Sequence, residues 1–490
     1  MTLWAARTAG ALHAGHWEAW LAFMLKTLKS GLLVFGEGAG NASVNRRIFA
    51  AMCTVGSLTL LTRFVAMGKE IVVAKYFGLG DALDAFYIAL MLPAFAVNLI
   101  AGSLSAALIP TYIHVRETEG LPAAQQLVVS VAARTLAFLG GAALVLALAV
   151  PLLTPLIASG YPPAKRALVQ SLVLLLVPIV VLSGVTSLWS AVLNAGGRFA
   201  LASISPLITP LTTLAALILF RGGSGIQILA LSLSAGALLE AAVLGVALRR
   251  SGFVLLPRWH PLDSAARAVL RQYVPMVAGT FLIGSTAIVD QALAATLGSG
   301  SVAALNYGNK LVMAGMGIGA TAVGSAVLPH FSQMVVRQDW NAIDRTLRVY
   351  LRLLFAITLP LTGLLCWFSV PLVRMLFQYG AFTAADTQLV AGIQVCYALQ
   401  IPFNIGGILL VRLISSLKAN AVLMWGAAIS LPLNVILDLF LMRHIGTAGI
   451  ALSTACVYLG SFLFSGVCLH YLLAIRKRRS SKRFPAGQGE

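Results

Sequence analysis

Residues 126–157 read QLVVSVAARTLAFLGGAALVLALAVPLLTPLI, and from Leu136 to Ile157 no side chain is charged. An α-helix rises about 1.5 Å per residue, so the uncharged part alone extends about 33 Å, enough to cross about 30 Å of hydrocarbon. Its apolar residues surround the helix instead of forming one stripe, the pattern of a helix with no face turned to water. Gly140, Gly141, Pro151 and Pro155 are out of place in a soluble helix but common in membrane spans. Comparable runs recur near 49–76, 84–115, 166–194, 200–220, 225–249, 269–297, 302–334, 346–376, 386–416, 420–442 and 447–475. The whole chain is 59% hydrophobic and 10% charged, with a mean hydropathy of +0.92. Soluble domains carry about 25% charged residues, so this chain has too little polar surface to cover a soluble fold. The sequence predicts an all-α integral membrane protein of about twelve transmembrane helices.

The formal net charge of +19 follows topology rather than nucleic acid. Basic residues collect in alternate connections: Arg46 and Arg47, then Arg249 to Arg271, then Arg337 to Arg352, and finally Arg476 to Arg483. The intervening loops 78–83, 221–225 and 298–301 are short and poor in cations. Cytoplasmic loops carry the excess of Lys and Arg, so both termini are expected in the cytoplasm, which requires an even number of spans. The five cysteines all lie in apolar runs without CxxC spacing, so neither a disulfide framework nor a metal site is expected.

The longest polar stretch falls near the midpoint and divides the chain. The expected units are an N-terminal extension (1–44), a first lobe of six helices (45–250), a cytoplasmic linker (251–268), a second lobe of six helices (269–475) and a basic tail (476–490). The extension holds no span of membrane length, and it reads as disordered or surface-lying; a translation start near Met24 or Val44 is the alternative. The two lobes echo each other. Tyr76-Phe77-Gly78-Leu79-Gly80 leads to Ser105 through Pro110 as Thr296-Leu297-Gly298-Ser299-Gly300 leads to Ser325 through Pro329. Pro178, Asn194 and Pro206 stand in the same order as Pro402, Lys418 and Pro432. A parallel pseudo-twofold repeat places a transport site between the lobes, near the midplane. One chain with both lobes is expected to act as a monomer in the lipid bilayer.

Charges inside membrane spans are costly and face a cavity or a partner. Arg63 and Glu70 lie two turns apart on nearly one face of the first helix, with Lys69 beside them. A helix with this much charge lines a hydrated space, or else Lys69 and Glu70 simply neutralise each other. Asp84 opens the second helix, either as a favourable charge at its own N-terminus or as an acidic cavity group. Asn98 on the same helix is a candidate hydrogen-bonding group. In the second lobe, Asp290 and Lys310 either pair across the short 298–301 turn, or Asp290 holds a coupling cation. Arg134, Arg412 and Asp438 are further intramembrane candidates. No Walker loop, HExxH, catalytic triad or pair of extramembrane carboxylates appears, so an enzyme is not expected.

These residues resemble the MviN/MurJ family of lipid II flippases, within the superfamily of multidrug and oligosaccharidyl-lipid exporters. The likeness runs from about Asn45 to Arg476 and rests on Thr62-Arg63, Lys69-Glu70, Lys75-Tyr76-Phe77-Gly78 and Leu83-Asp84-Ala85-Phe86. It continues through Leu305-Asn306-Tyr307-Gly308-Asn309-Lys310 and Phe377-Gln378-Tyr379-Gly380-Ala381-Phe382-Thr383 with Asp386. The resemblance implies alternating access in the bacterial inner membrane. A cationic cavity would receive the headgroup of a polyprenyl-diphosphate-linked saccharide, with Arg63, Lys69, Lys310 and Asn98 as headgroup residues and Glu70, Asp84 and Asp290 as acidic coupling or cavity residues. It implies no cofactor, with the membrane potential or a monovalent ion as the energy source. The chain departs from the family pattern by carrying Lys69 and Lys310 where arginine is usual, Val97-Asn98 where basic residues are usual, and no helices thirteen and fourteen. An exopolysaccharide or O-antigen repeat unit is the alternative substrate, and a cation-coupled small-molecule exporter the more distant one.

Overall fold

The computed structural model describes residues 44–196, 198–220, 225–250, 252, 264–336, 338–417 and 419–483. The expected N-terminal extension up to residue 43, most of the linker, Arg337, Lys418 and the end of the tail lie outside the described residues. Among these residues every regular element is helical, and the helices form twelve rods. The first, α1, spans Val44–Phe77; α2 runs over Asp81–Val97, through a π-helical turn at Asn98–Gly102, into Ser103–Thr118. Then come α3 (Leu121–Ile157), α4 (Pro163–Ala195), α5 (Phe199–Ile204, a 3-10 turn Ser205–Leu207, and Ile208–Leu219) and α6 (Gln227–Arg250). The second set is α7 (Ser264–Ala294), α8 (Ser301–Val336), α9 (Trp340–Trp367), α10 (Ala384–Ala398 and Ile401–Ser416), α11 (Asn420–Ile445) and α12 (Thr447–Arg483). A short helix, Ser369–Phe377, links α9 to α10.

Nine of the rods, α2–α6 and α9–α12, are long and apolar enough to cross a bilayer. The other three, α1, α7 and α8, have 34, 31 and 36 residues, well beyond the roughly 20 a span requires. The expected dozen helices therefore stands. Along α9 the exposed residues Leu353, Ile357, Leu361 and Leu364 follow one face, a stripe that acyl chains cover. Helix starts are marked locally. Thr383 and Asp386 form a reciprocal capping box at α10, and the Asp339 side chain accepts from the Ala342 amide at α9.

Four rods are less regular than their sequence runs predict. The π turn of α2 lies just beyond Pro93, the 3-10 turn of α5 contains Pro206, and α10 breaks ahead of Pro402. Proline cannot donate to the carbonyl four residues earlier, and its ring crowds that carbonyl. The run near 346–376 ends at Trp367 and restarts as the short helix at Ser369.

The first six rods pack in the sequence α1 on α5, α5 on α6, α6 on α4, and α4 on both α2 and α3. In the second six, α8 packs on α10, α10 on α12, α12 on α11, and α11 on α7. Helix α7 also packs on α2 and α3, and α8 on α2, so these two rods carry the contact between the groups. Loops at one end join as well. The Ala381 amide donates to the Lys75 carbonyl at 2.9 Å. A Cβ on Gly300 would stand 2.7 Å from the Leu79 carbonyl oxygen, and one on Gly160 2.7 Å from the Thr296 Cα, so glycine is what allows these backbones to meet. Toward the opposite, basic end, a Cβ on Gly56 of α1 or on Gly315 of α8 would meet nothing within 4 Å.

Candidate functional site

Where α1, α2 and α8 approach one another, four polar side chains converge. Glu70 of α1 pairs with its neighbour Lys69 at 2.6 Å and with Lys310 of α8. The Tyr87 hydroxyl of α2 donates to Glu70 at 3.3 Å and accepts from Lys310 at 2.9 Å. Lys310 and Tyr307 are three residues apart on one face of α8, which sets the ammonium 4.9 Å from the Tyr307 ring centroid and 5.2 Å from that of Tyr87. Phe377 and Phe382 back Tyr307 at 4.9 and 5.8 Å between centroids. This aromatic wall lies on the side of the closed loops. The side chains of Lys69, Glu70 and Lys310 are only 16–19% exposed.

Two lysines share one carboxylate, so the formal charge of the cluster is positive. Glu70 spans both groups of helices, tied to α1 by covalent bonds and to α8 through Lys310. An incoming anion can take either ammonium from Glu70, replacing one ionic partner by another without stranding a charge in low dielectric. Chemically, the arrangement has the charges to bind an anion and exchange its ionic partners; it holds no nucleophile–base pair.

Arg63 and Asn98 do not join this cluster. Arg63, seven residues before Glu70, is exposed and lies about 10 Å nearer the basic end. Asn98 opens the π turn, is exposed, and lies about 16 Å along α2 from Tyr87. Both lie toward the basic end rather than at the closed apex.

Asp84 is a correction. It lies in the first turn of its own helix, as one reading expected, but it is buried and does not line a cavity. Fully buried, it accepts the amides of Gly300 at 2.7 Å and Ala303 at 2.8 Å, capping the N-terminus of α8 from α2. Lys165 at the start of α4 bridges it at 3.2 Å to the exposed Asp81 at 2.6 Å, with its ammonium 3.7 Å from the Tyr161 ring centroid. The carboxylate thus pins the two groups of helices together one helical turn from the loops.

Asp290 does not pair with Lys310; it meets Asp438 of α11 instead. The Thr454 hydroxyl donates to Asp290 at 3.3 Å, Ser453 donates to Asp438, and Asn434 bonds the Ser453 hydroxyl at 3.4 Å. Oxygens of Asp290, Asn434 and Asp438 are buried without a partner. Two carboxylates in contact require a proton or a cation between them.

The sequence reading missed Tyr87, Tyr307 and Lys165. Lys165 lies in Pro162-Pro163-Ala164-Lys165-Arg166, indistinguishable from an ordinary loop cation. The tyrosines carried a signal: each stands three residues, about one turn, from a residue already singled out, Tyr87 after Asp84 and Tyr307 before Lys310.

The family model "Lipid II flippase MurJ" matches residues 73–485. A probable lipid II flippase MurJ of Synechocystis sp. is 26% identical over 420 residues, covering 83% of this chain and 78% of that protein. The lipid II flippase MurJ of Burkholderia cenocepacia is 26% identical over 450 residues, covering 88% and 84%. Among solved structures, a lipid II flippase MurJ in an inward closed conformation superposes with a TM-score of 0.73 at 22% identity, over 85% of this chain and 87% of that one. An inward-facing multidrug resistance MATE family transporter of the MOP superfamily gives 0.69 at 12% identity, over 87% and 99%. At these identities the structural likenesses speak for the fold.

Proposed function

Because the chain belongs to the lipid II flippase MurJ family, we propose that it carries a polyprenyl-diphosphate-linked saccharide, lipid II, across the cytoplasmic membrane by alternating access. The observation that carries this reading is the cluster of Lys69, Glu70, Lys310 and Tyr87 between α1, α2 and α8. A diphosphate cannot enter hydrocarbon unpaired. Lys69 and Lys310 supply its counter-charges, and Glu70, which gives up Lys310 and keeps Lys69, is the group that feels its arrival. That exchange breaks a link between the two groups of helices. It therefore ties headgroup binding to loosening of the closed end, which Asp84 otherwise holds.

The charge pattern supports an orientation with the basic end toward the cytoplasm, the side where the substrate is made. The polyprenyl tail stays in the bilayer while the headgroup moves through the protein. No bond is made or broken, and one chain suffices. The Asp290–Asp438 pair fits a monovalent cation, since carboxylate, amide and hydroxyl oxygens with unfilled acceptor positions converge there. Such an ion would offset one of the two negative charges between α7 and α11 and so bias the helix that also contacts α2 and α3.

The test is genetic. Expression of this chain in a bacterium depleted of its own lipid II flippase is expected to restore growth, and Lys310→Ala to abolish the rescue. Normal membrane insertion without rescue by the unaltered chain moves the substrate to a different lipid-linked saccharide, such as an exopolysaccharide or O-antigen repeat unit.

A further inference from the structure

Glu240 lies halfway along α6, outside every contact used above. Nine residues separate it from Arg249, about 14 Å along the helix axis, which places it deep in the span. An ionisable residue at that depth is costly unless it has a task or a partner. Its partners are two hydroxyls of α5: Ser205 at 3.3 Å and Thr209 at 3.2 Å. The helices come close at this point, for a Cβ on Gly236 would stand 2.8 Å from the Thr209 Cα.

No ion pair reaches Glu240 among the described residues. Helix α5 has no charged residue between Phe199 and Leu219. On α4 the only charged residues are Lys165 and Arg166, in its first turn at the other end, and Lys165 is held by Asp81 and Asp84. On α6 itself the nearest are Arg249 and Arg250. Arg63 of α1, beside the Thr62 that reaches α5, is not paired with it.

A count of donors and acceptors decides between the charged and neutral carboxyl. Pro206 has no N–H to give the Ala202 carbonyl, and the Ser205 hydroxyl lies 3.5 Å from that oxygen. Ser205 has one proton and two claimants, Ala202 and Glu240. With Glu240 ionised, one of them goes short. With Glu240 protonated, its own O–H donates to Ser205, which donates onward to Ala202, and both are satisfied.

We propose that Glu240 is a proton-binding site built into the break of α5. It takes up one proton (carboxylate plus proton gives carboxylic acid) as Ser205 turns from donor to acceptor toward it, and releases that proton when the break opens. The break is also where α1 packs on α5, with the Thr62 hydroxyl bonded to Leu58 of its own helix at 2.9 Å and 3.5 Å from the Ser203 carbonyl, and α1 carries Lys69 and Glu70. Protonation at Glu240 thus acts on the helix that holds the anion site. Proton binding itself stands without any assumption about the substrate; only its effect on transport rests on the proposed function.

Dicyclohexylcarbodiimide, which modifies protonated carboxyls in apolar surroundings, tests this on the full chain in lipid nanodiscs. Peptide mass spectrometry is expected to find an adduct on Glu240 that falls roughly tenfold or more between about pH 5 and 9. Glu240→Gln is expected to abolish the adduct while keeping the wild-type melting temperature, because glutamine still bonds both hydroxyls. An unmodified Glu240, or an adduct of constant yield over that range, overturns the proposal. Neither readout needs the substrate, so failure of the lipid II assignment leaves this test intact.

Discussion

Asp84→Asn perturbs the closed end of the molecule at its most buried charge. The native carboxylate accepts two amides from the N-terminus of α8 and an ammonium from Lys165. An asparagine oxygen can keep one of those amides, while its NH2 group faces a second donor. One hydrogen bond to a charged group is lost outright, at about 1.5–3 kcal/mol, and the remaining ones become neutral and weaker. The two amide contacts exist only when α2 and α8 meet, so a total near 3 kcal/mol is taken from the closed state, while the bond to Lys165 of α4 persists on opening. That multiplies the ratio of open to closed molecules by roughly a hundredfold. Spin labels at Ser159 and Ala385, both exposed and on opposite sides of the closed end, read the change as a distance distribution in liposomes after the five cysteines are replaced. A new, longer distance component is expected. An unchanged distribution in a folded Asp84→Asn protein would refute the assignment of Asp84 as the latch.

Three further outcomes follow from the same geometry. Lys165→Met is expected to act in the opposite direction, since opening then leaves Asp84 without its remaining buried partner; the same labels should show the closed distance alone, without the longer component expected of Asp84→Asn. Gly380→Ala places a side chain at φ +61° beside the Lys75 backbone and is expected to cost roughly 1–3 kcal/mol, seen as a lower melting temperature in detergent. Asp290→Asn is expected to remove the dependence of transport on small monovalent cations, measured by replacing them with a bulky organic cation, while Asp290→Glu retains part of it.

The fold was legible because a bilayer imposes a strict demand on composition. Runs such as 136–157 have no soluble use, and the alternation of basic and cation-poor loops orders them. The breaks in α2, α5 and α10 were less so: Pro93, Pro206 and Pro402 announce that backbone bonds are missing, yet the same residues leave other membrane helices nearly straight. At the site, Lys69, Glu70 and Lys310 stood out as charges where lipid belongs, and they do meet. Asp84 also stood out, but its partners are backbone amides of α8, which no side-chain pattern reveals. Asp290 and Lys310 looked like a pair because one short turn separates their helices. The helical faces decide otherwise, turning Asp290 toward α11 and Lys310 toward α1. Glu240 escaped notice because a single carboxylate in an apolar run has no periodic companion; its two hydroxyl partners lie on another helix.

The central claim is that Lys310 and Lys69 receive a diphosphate headgroup that displaces Glu70 from Lys310. Lipid II translocation in proteoliposomes, measured for the wild-type chain, Lys310→Ala and Lys310→Arg at equal reconstitution, tests it most directly. The account predicts at least about a tenfold loss for alanine, the cost of leaving one charge of a bound anion unpaired, and near-wild-type rates for arginine. Translocation by Lys310→Ala at the wild-type rate would contradict it.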